Sequence, residues 1–194
     1  MKKISINFQP QFQLWKACAK DDSRPAMCYV HFVGGYAYAS DAHILVRIPL
    51  QELTSFEEDE QHLLDGFAIH ADVLKTIVKC DSVEVKRDGG DCILYVRHAE
   101  HEISAKLVSQ EKITAPKFAE LFTDKGNPSA EPVRNIGIST KKLSTLASAM
   151  GITNIKMAFT KVNGKVFVSS VDELFHSEGV IMPLMITGTL DGFE

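Results

Sequence analysis

One order of strands and a short helix is written three times along this chain, and a repeated unit constrains a fold more than any single element. The first copy opens with alternating ISINF at 4–8, followed by PQFQLWKACAK, in which Phe12, Trp15 and Cys18 or Ala19 fall at helical spacing. A polar break leads to CYVHFV, a Gly34-Gly35 turn, YAYAS and HILVRIP. The second copy runs FAIH at 67–70, ADVLKTIVKC with the apolar stripe Val73, Leu74, Ile77 and Val78, then SVEVKR, Gly89-Gly90, CILYVRH and HEISAKLV. The third runs NIGIS at 135–139, TKKLSTLASAM with Leu143, Leu146, Ala147 and Met150, then NIKMAFTKV, Asn163-Gly164, KVFVSSV and GVIMPLM. Gly-Gly and Asn-Gly supply the positive φ of two-residue hairpins, and all three fall at the same place in their unit. The expected class is α+β, built from repeated β-α-β-β-β units with helices on one face of antiparallel sheets.

Residues 1–110 therefore read as one complete domain of two units, and 135–187 as a third unit, half a domain. Between them, 111–134 carries Pro116, Gly126, Pro128 and Pro132 and reads as a connector, while 188–194 is a C-terminal tail. Residues 51–65 hold the acidic run Glu57-Glu58-Asp59-Glu60, expected as an exposed loop or a short helix.

A chain of 194 residues can bury a real core without a metal or disulfide staple. Cys18, Cys28, Cys80 and Cys92 form no C-x-x-C pair and no zinc-ligand grouping, so reduced thiols and no metal are expected. No apolar run is long enough to span a membrane, and MKKISINFQPQ lacks the apolar core of a signal peptide, so the expected location is the cytoplasm.

The net charge of -4 argues against a wholly basic nucleic-acid binder but says nothing about how charge is distributed. The helix windows 11–20, 71–79 and 140–149 contain Lys16, Lys20, Lys75, Lys79, Lys141 and Lys142 against one acid, Asp72. Lys16/Lys20 and Lys75/Lys79 stand at i,i+4 without glutamate partners. Such a face is either simply solvated or suited to a phosphate backbone, which takes diffuse positive charge without base readout. Catalysis has less support: no nucleophile elbow, phosphate loop or dinucleotide fingerprint occurs. His98 and His101, with Glu100 and Glu102, fall at a strand turn where polar residues are expected in any case. No cofactor is implied.

Tandem helix-and-sheet units with basic helices resemble the sliding clamps of DNA replication, and particular stretches carry the likeness. SDAHIL at 40–45 resembles T-D-G-H-R-L in the middle domain of the bacterial β clamp, the DNA polymerase III β subunit. HEISAKLV and the FAELF region resemble the closing strand of that domain and the segment after it, and NIGISTKKLSTLASAMGITNIKMAFT through GVIMPLM resembles the second half of the last domain. The resemblance implies a DNA clamp fold in which the six lysines face the backbone of double-stranded DNA. It also implies an apolar pocket for short peptide motifs of polymerase or repair proteins, with Ser40, Ala42, His43 and Leu45 as one wall and Val180, Met182, Pro183 and Leu184 as the other. His43 is then a pocket-edge residue with no role in proton transfer; on the residues alone, Asp41 and His43 equally suit a polar turn.

The chain departs from the family in having Ala42 for glycine and Ile44 for arginine in the hinge, and three half-domain units where a clamp subunit has six. Self-association is expected, because a lone third unit leaves sheet edges to cover. Leu190, Asp191 and Phe193 resemble the Leu-Asp-x-Phe core of clamp-binding peptides, so the tail either occupies a pocket or frays. The function implied is a sequence-independent DNA-associated processivity or partner-docking protein; the alternative is a clamp-derived protein that holds partner motifs without encircling DNA.

Overall fold

The computed structural model of the chain describes residues 6–21, 23–123, 136–160, 164–172 and 174–185. Its strands are Tyr29–Val33 (β1), Tyr36–Ser40 (β2), Ile44–Pro49 (β3), Phe67–His70 (β4), Ser82–Asp88 (β5), Asp91–His98 (β6), His101–Lys106 (β7), Val108–Ser109 (β8), Ile155–Phe159 (β9), Val166–Ser170 (β10) and Glu178–Ile181 (β11). The α-helices are Leu50–Leu53 (α1), Glu58–Leu64 (α2), Ala71–Ile77 (α3), Glu120–Thr123 (α4) and Thr140–Met150 (α5).

The Gly-Gly turns fall where local chemistry dictates. Gly34 and Gly35 both adopt positive φ, +57° and +78°, closing β1 onto β2 with Val33 opposite Tyr36. The second hairpin places Asp88 opposite Asp91. In the third, Phe159 of β9 lies opposite Val166 of β10, and Asn163 lies outside the described residues.

The first unit departs from expectation. Of the strand at 4–8, the described residues show one bridge, Phe8 to Thr54. The helix expected over 11–20 is a single 3-10 turn, Leu14–Lys16, whose N-cap Gln13 makes no side-chain bond. A helical stripe would have turned Trp15 inward, yet Phe12, Leu14, Ala17 and Cys18 are the buried residues, an irregular spacing that wedges the turn into the core. In the second unit Leu74 and Ile77 are buried as expected, but Val73 is exposed. The acidic run is the helical alternative: Glu57 and Glu60 form a reciprocal capping box, and acids crowd the first turn of α2, where the helix dipole favours them.

Two sheets result. Eight strands run in the order β8-β4-β1-β2-β3-β11-β10-β9, and β5-β6-β7 form a second sheet. The third unit is therefore not left alone at its β11 edge. Antiparallel pairing of β11 with β3 sets Val180 opposite Leu45 and Glu178 opposite Arg47, so that edge is covered within the chain.

Alternation separates the two faces of the large sheet. Ile44, Val46 and Ile48 join α5, α3 and the Leu14–Lys16 turn in the main core. Leu45, Tyr38, Phe167 and Val180 form a smaller cluster on the opposite parity with Phe118 and Phe122. Helix α5 starts at Ser139, whose hydroxyl accepts the Lys142 N–H at 3.3 Å, and stops at Gly151 with φ +69°. It lies close on β11: a Cβ built at Gly179 would sit 2.9 Å from Met150 Sδ and 3.0 Å from Leu146 Cδ1. Among the described residues, no helix is long and apolar enough to cross a membrane.

Candidate functional site

Ser-Asp-Ala-His is the loop of a hairpin, since β2 turns back onto β3 with Ser40 opposite Leu45. Its shape is held by short polar side chains doing backbone work. Asp41 Oδ1 accepts the N–H groups of His43 and Ile44 at 2.9 and 3.0 Å. Ser40 Oγ donates to the Ile44 carbonyl at 2.8 Å and accepts the Ala42 N–H at 3.1 Å. Ala42 is thereby held at φ +73°, a region where glycine carries no Cβ penalty. The end of β11 is tied to this loop, the Met182 N–H donating to the His43 carbonyl at 2.9 Å.

Beside the loop opens a cleft of about 380 Å³. Ser40, Ala42, His43, Ile44 and Leu45 line one side, and Val180 and Met182 another. The predicted wall residues Pro183 and Leu184 do not line it. After Met182 the chain turns away, and the Leu184 N–H donates to the Gly137 carbonyl at 2.8 Å, so Leu184 bridges toward the start of α5.

A third wall comes from residues the sequence reading assigned to a connector. Pro116, Lys117, Phe118 and Leu121 form a strap over the sheet, joined by Met27 and Lys165. Phe118 is anchored by near-parallel stacking on Tyr38, centroids 5.9 Å apart, and by the His31 ring at 5.2 Å. Lys165 Nζ donates to the Leu121 carbonyl at 3.0 Å. The missed signal was Phe118 and Phe122, four residues apart in a stretch otherwise rich in Pro and Gly.

Two polar features support the walls from beneath. Arg47 pairs with Glu178 across the β3–β11 junction, Nε to Oε2 at 2.7 Å, with its guanidinium 4.2 Å from the Phe122 ring centroid and 5.0 Å from that of Tyr36. His31 is fully buried; Nε2 lies 2.6 Å from the Ala26 carbonyl, so Nε2 carries the proton in the neutral ring, and Nδ1 has no partner among the described residues. Burial pushes the His31 pKa below its ordinary value.

The basic windows lie on the other side of the sheet, where α3 and α5 flank the Leu14–Lys16 turn. Lys16, Lys20, Lys75, Lys79 and Lys141 are exposed. The two i,i+4 pairs are not helical faces. Lys16 ends a 3-10 turn and Lys20 follows it, while α3 stops at Ile77 and tightens, the Lys79 N–H donating to the Thr76 carbonyl at 3.1 Å. Lys142 is held apart from the other five: its Nζ pairs with Asp41 Oδ2, their side chains 33% and 14% exposed. The region of Leu190, Asp191 and Phe193 lies outside the described residues.

No family model matches the chain, and no curated protein matches it in sequence. Solved structures do match in architecture. The DNA polymerase III β subunit from Thermotoga maritima superposes with a TM-score of 0.56 at 12% identity, over 94% of this chain and 65% of that one. The fold is the sliding-clamp fold. The DNA polymerase sliding clamp from Bacillus subtilis gives a TM-score of 0.53 at 12% identity, over 96% of this chain and 66% of that one. The sliding clamp from Bartonella birtlesii, solved bound to griselimycin, gives 0.52 at 12% identity, over 90% of this chain and 64% of that one. The chain thus spans a little under two-thirds of the length of these clamps.

Proposed function

We propose that this chain is a sliding-clamp-like binding protein, not an enzyme, that takes short apolar peptide motifs of DNA polymerase or repair proteins into the cleft beside His43. The observation that carries this reading is the cleft itself. Segments as far apart as Met27, Ser40–Leu45, Pro116–Leu121, Lys165 and Val180–Met182 converge on one largely apolar recess with cations at its rim. A recess of this kind suits a linear motif that buries two apolar anchors, and the lysines at its edge suit an acidic residue between them.

The exposed lysines of the helix face engage the backbone of double-stranded DNA without reading sequence. Encirclement needs more units than one chain holds, so a closed assembly requires several copies, for which β9 offers an edge strand of the large sheet.

Fluorescence anisotropy with a labelled peptide containing Leu-Asp-Leu-Phe tests the cleft. His43→Ala and Met182→Ala are expected to weaken binding several-fold; equal affinity in wild type and both variants refutes the assignment. For DNA, the triple change of Lys16, Lys75 and Lys141 to Glu abolishes salt-sensitive retention if the helix face is the contact. Light scattering across a wide concentration range decides between a discrete oligomer and a monomer that docks partners without encircling DNA.

A further inference from the structure

We infer that Lys142 belongs to the cleft and not to the basic face: through Asp41 it positions the 41–44 loop, and a ligand seated against that loop depends on it. The inference deepens the peptide-docking reading and rests on it for its binding consequence.

Asp41 divides its two carboxylate oxygens between two tasks. Oδ1 receives the N–H groups of His43 and Ile44, at 2.9 and 3.0 Å, and so shapes the loop. Oδ2 receives Lys142 Nζ from helix α5, on the opposite side of the cleft wall. Both ends of this link are fixed. The backbone of Lys142 is held in the first turn of α5 by Ser139, and the Asp41 side chain is only 14% exposed.

The loop needs such a tether. Ala42 holds φ +73°, and a non-glycine residue keeps that conformation only where its surroundings over-determine it. Ala42, His43 and Ile44 all line the cleft, so relaxation of Ala42 toward ordinary φ would move the wall a peptide touches. An ion pair spanning α5 and the loop also places the Lys142 charge beside a carboxylate, where it adds little to attraction of a polyanion. Lys141, its neighbour, is exposed and retains that role.

The test uses the full chain with Lys142→Met, which keeps the aliphatic stem, Lys142→Arg, which keeps the charge, and Asp41→Asn, which keeps the Oδ1 acceptor but drops the charge. Amide hydrogen exchange at His43 and Ile44 is expected to quicken on the order of tenfold in Lys142→Met and Asp41→Asn, and to return close to wild type in Lys142→Arg. Affinity for the Leu-Asp-Leu-Phe peptide is expected to fall about tenfold in Lys142→Met and to recover with arginine. Lys141→Met, by contrast, leaves peptide affinity intact and weakens DNA retention.

Unchanged exchange at His43 and Ile44 in Lys142→Met overturns the inference. So does a Lys142→Met variant that loses DNA retention as Lys141→Met does while binding peptide normally. If wild type binds no peptide, the docking reading fails separately, and amide exchange alone decides the positioning role: acceleration rescued by arginine keeps it, and no acceleration ends it.

Discussion

Replacing Arg47 with methionine probes whether the first and third units are joined by a specific polar clasp or merely by strand pairing. The Arg47 and Glu178 side chains are 17% and 24% exposed, so each retains some water. Truncating one partner of a fully buried pair costs about 3–5 kcal/mol, and the residual access brings this down to about 2–3 kcal/mol. Loss of the guanidinium from between the Tyr36 and Phe122 rings adds about 0.5–1 kcal/mol, partly offset by the apolar contacts methionine keeps. The expected destabilisation is therefore about 3 kcal/mol. Glu178→Gln, which keeps an acceptor for Nε, costs about half as much. Urea unfolding followed through Trp15, the single tryptophan, measures both variants and the double variant. The double variant is expected to lose less than the sum by more than about 1 kcal/mol, because both single changes remove the same pair interaction. Additivity within about 0.5 kcal/mol would show that the pair is not coupled, and the clasp reasoning would be wrong.

Three further outcomes follow from packing and burial. Gly179→Ala should destabilise by about 1–3 kcal/mol in the same assay, since the new Cβ meets Met150 and Leu146 beneath α5 and both are fully buried. Because the folded-state pKa of His31 lies below the unfolded value, the unfolded chain binds more protons as pH falls, so stability should decline below about pH 6.5 toward the depressed folded value. His31→Phe should flatten that decline in urea titrations at pH 7 and pH 5. With a thiol reagent at pH 8, native protein should label first at Cys80, the one thiol that is not fully buried, while Cys92, pushed up to about 11 by burial, and Cys18, raised further by burial, stay protected until unfolding.

How much of this architecture could be read in advance depended on the range of each signal. The Gly34-Gly35 turn is encoded in adjacent residues, because the backbone needs positive φ there and glycine supplies it. Helix α5 was legible in part: of the stripe Leu143, Leu146, Ala147 and Met150, Leu146 and Met150 are fully buried, while Leu143 and Ala147 are half-buried and Ala149 fills the core beside them. Over 11–20 the same periodicity misled, since Phe12, Trp15 and Cys18 match a helix on paper while tertiary packing favoured burying Leu14 and Ala17 in a tight turn. The pairing of β3 with β11 unites residues as far apart as Arg47 and Glu178 and leaves no local trace at all.

The cleft divides along the same line. Ser40, Ala42, His43 and Leu45 sit within one hairpin, so a single stretch placed them together. Val180 and Met182 joined them through the family likeness, and the β11 register accounts for them physically: Val180 faces Leu45, and Met182 donates to the His43 carbonyl. Pro183 and Leu184 lie outside the cleft lining, past the end of β11, where a proline cannot continue the ladder and the chain leaves the sheet to meet Gly137. The strap was hidden because its Phe118 and Phe122 lie in a stretch whose prolines and glycine outweighed two aromatics. The placement of Lys142 has the most consequence. Sequence placed it beside Lys141 on a helix face, and only the fold shows that its ammonium reaches the Asp41 carboxylate, an ion pair between the helix layer and the loop that lines the cleft. A cleft whose walls hang on the β3–β11 junction and on that ion pair should lose ligand affinity whenever either is loosened, even by changes that touch no lining residue.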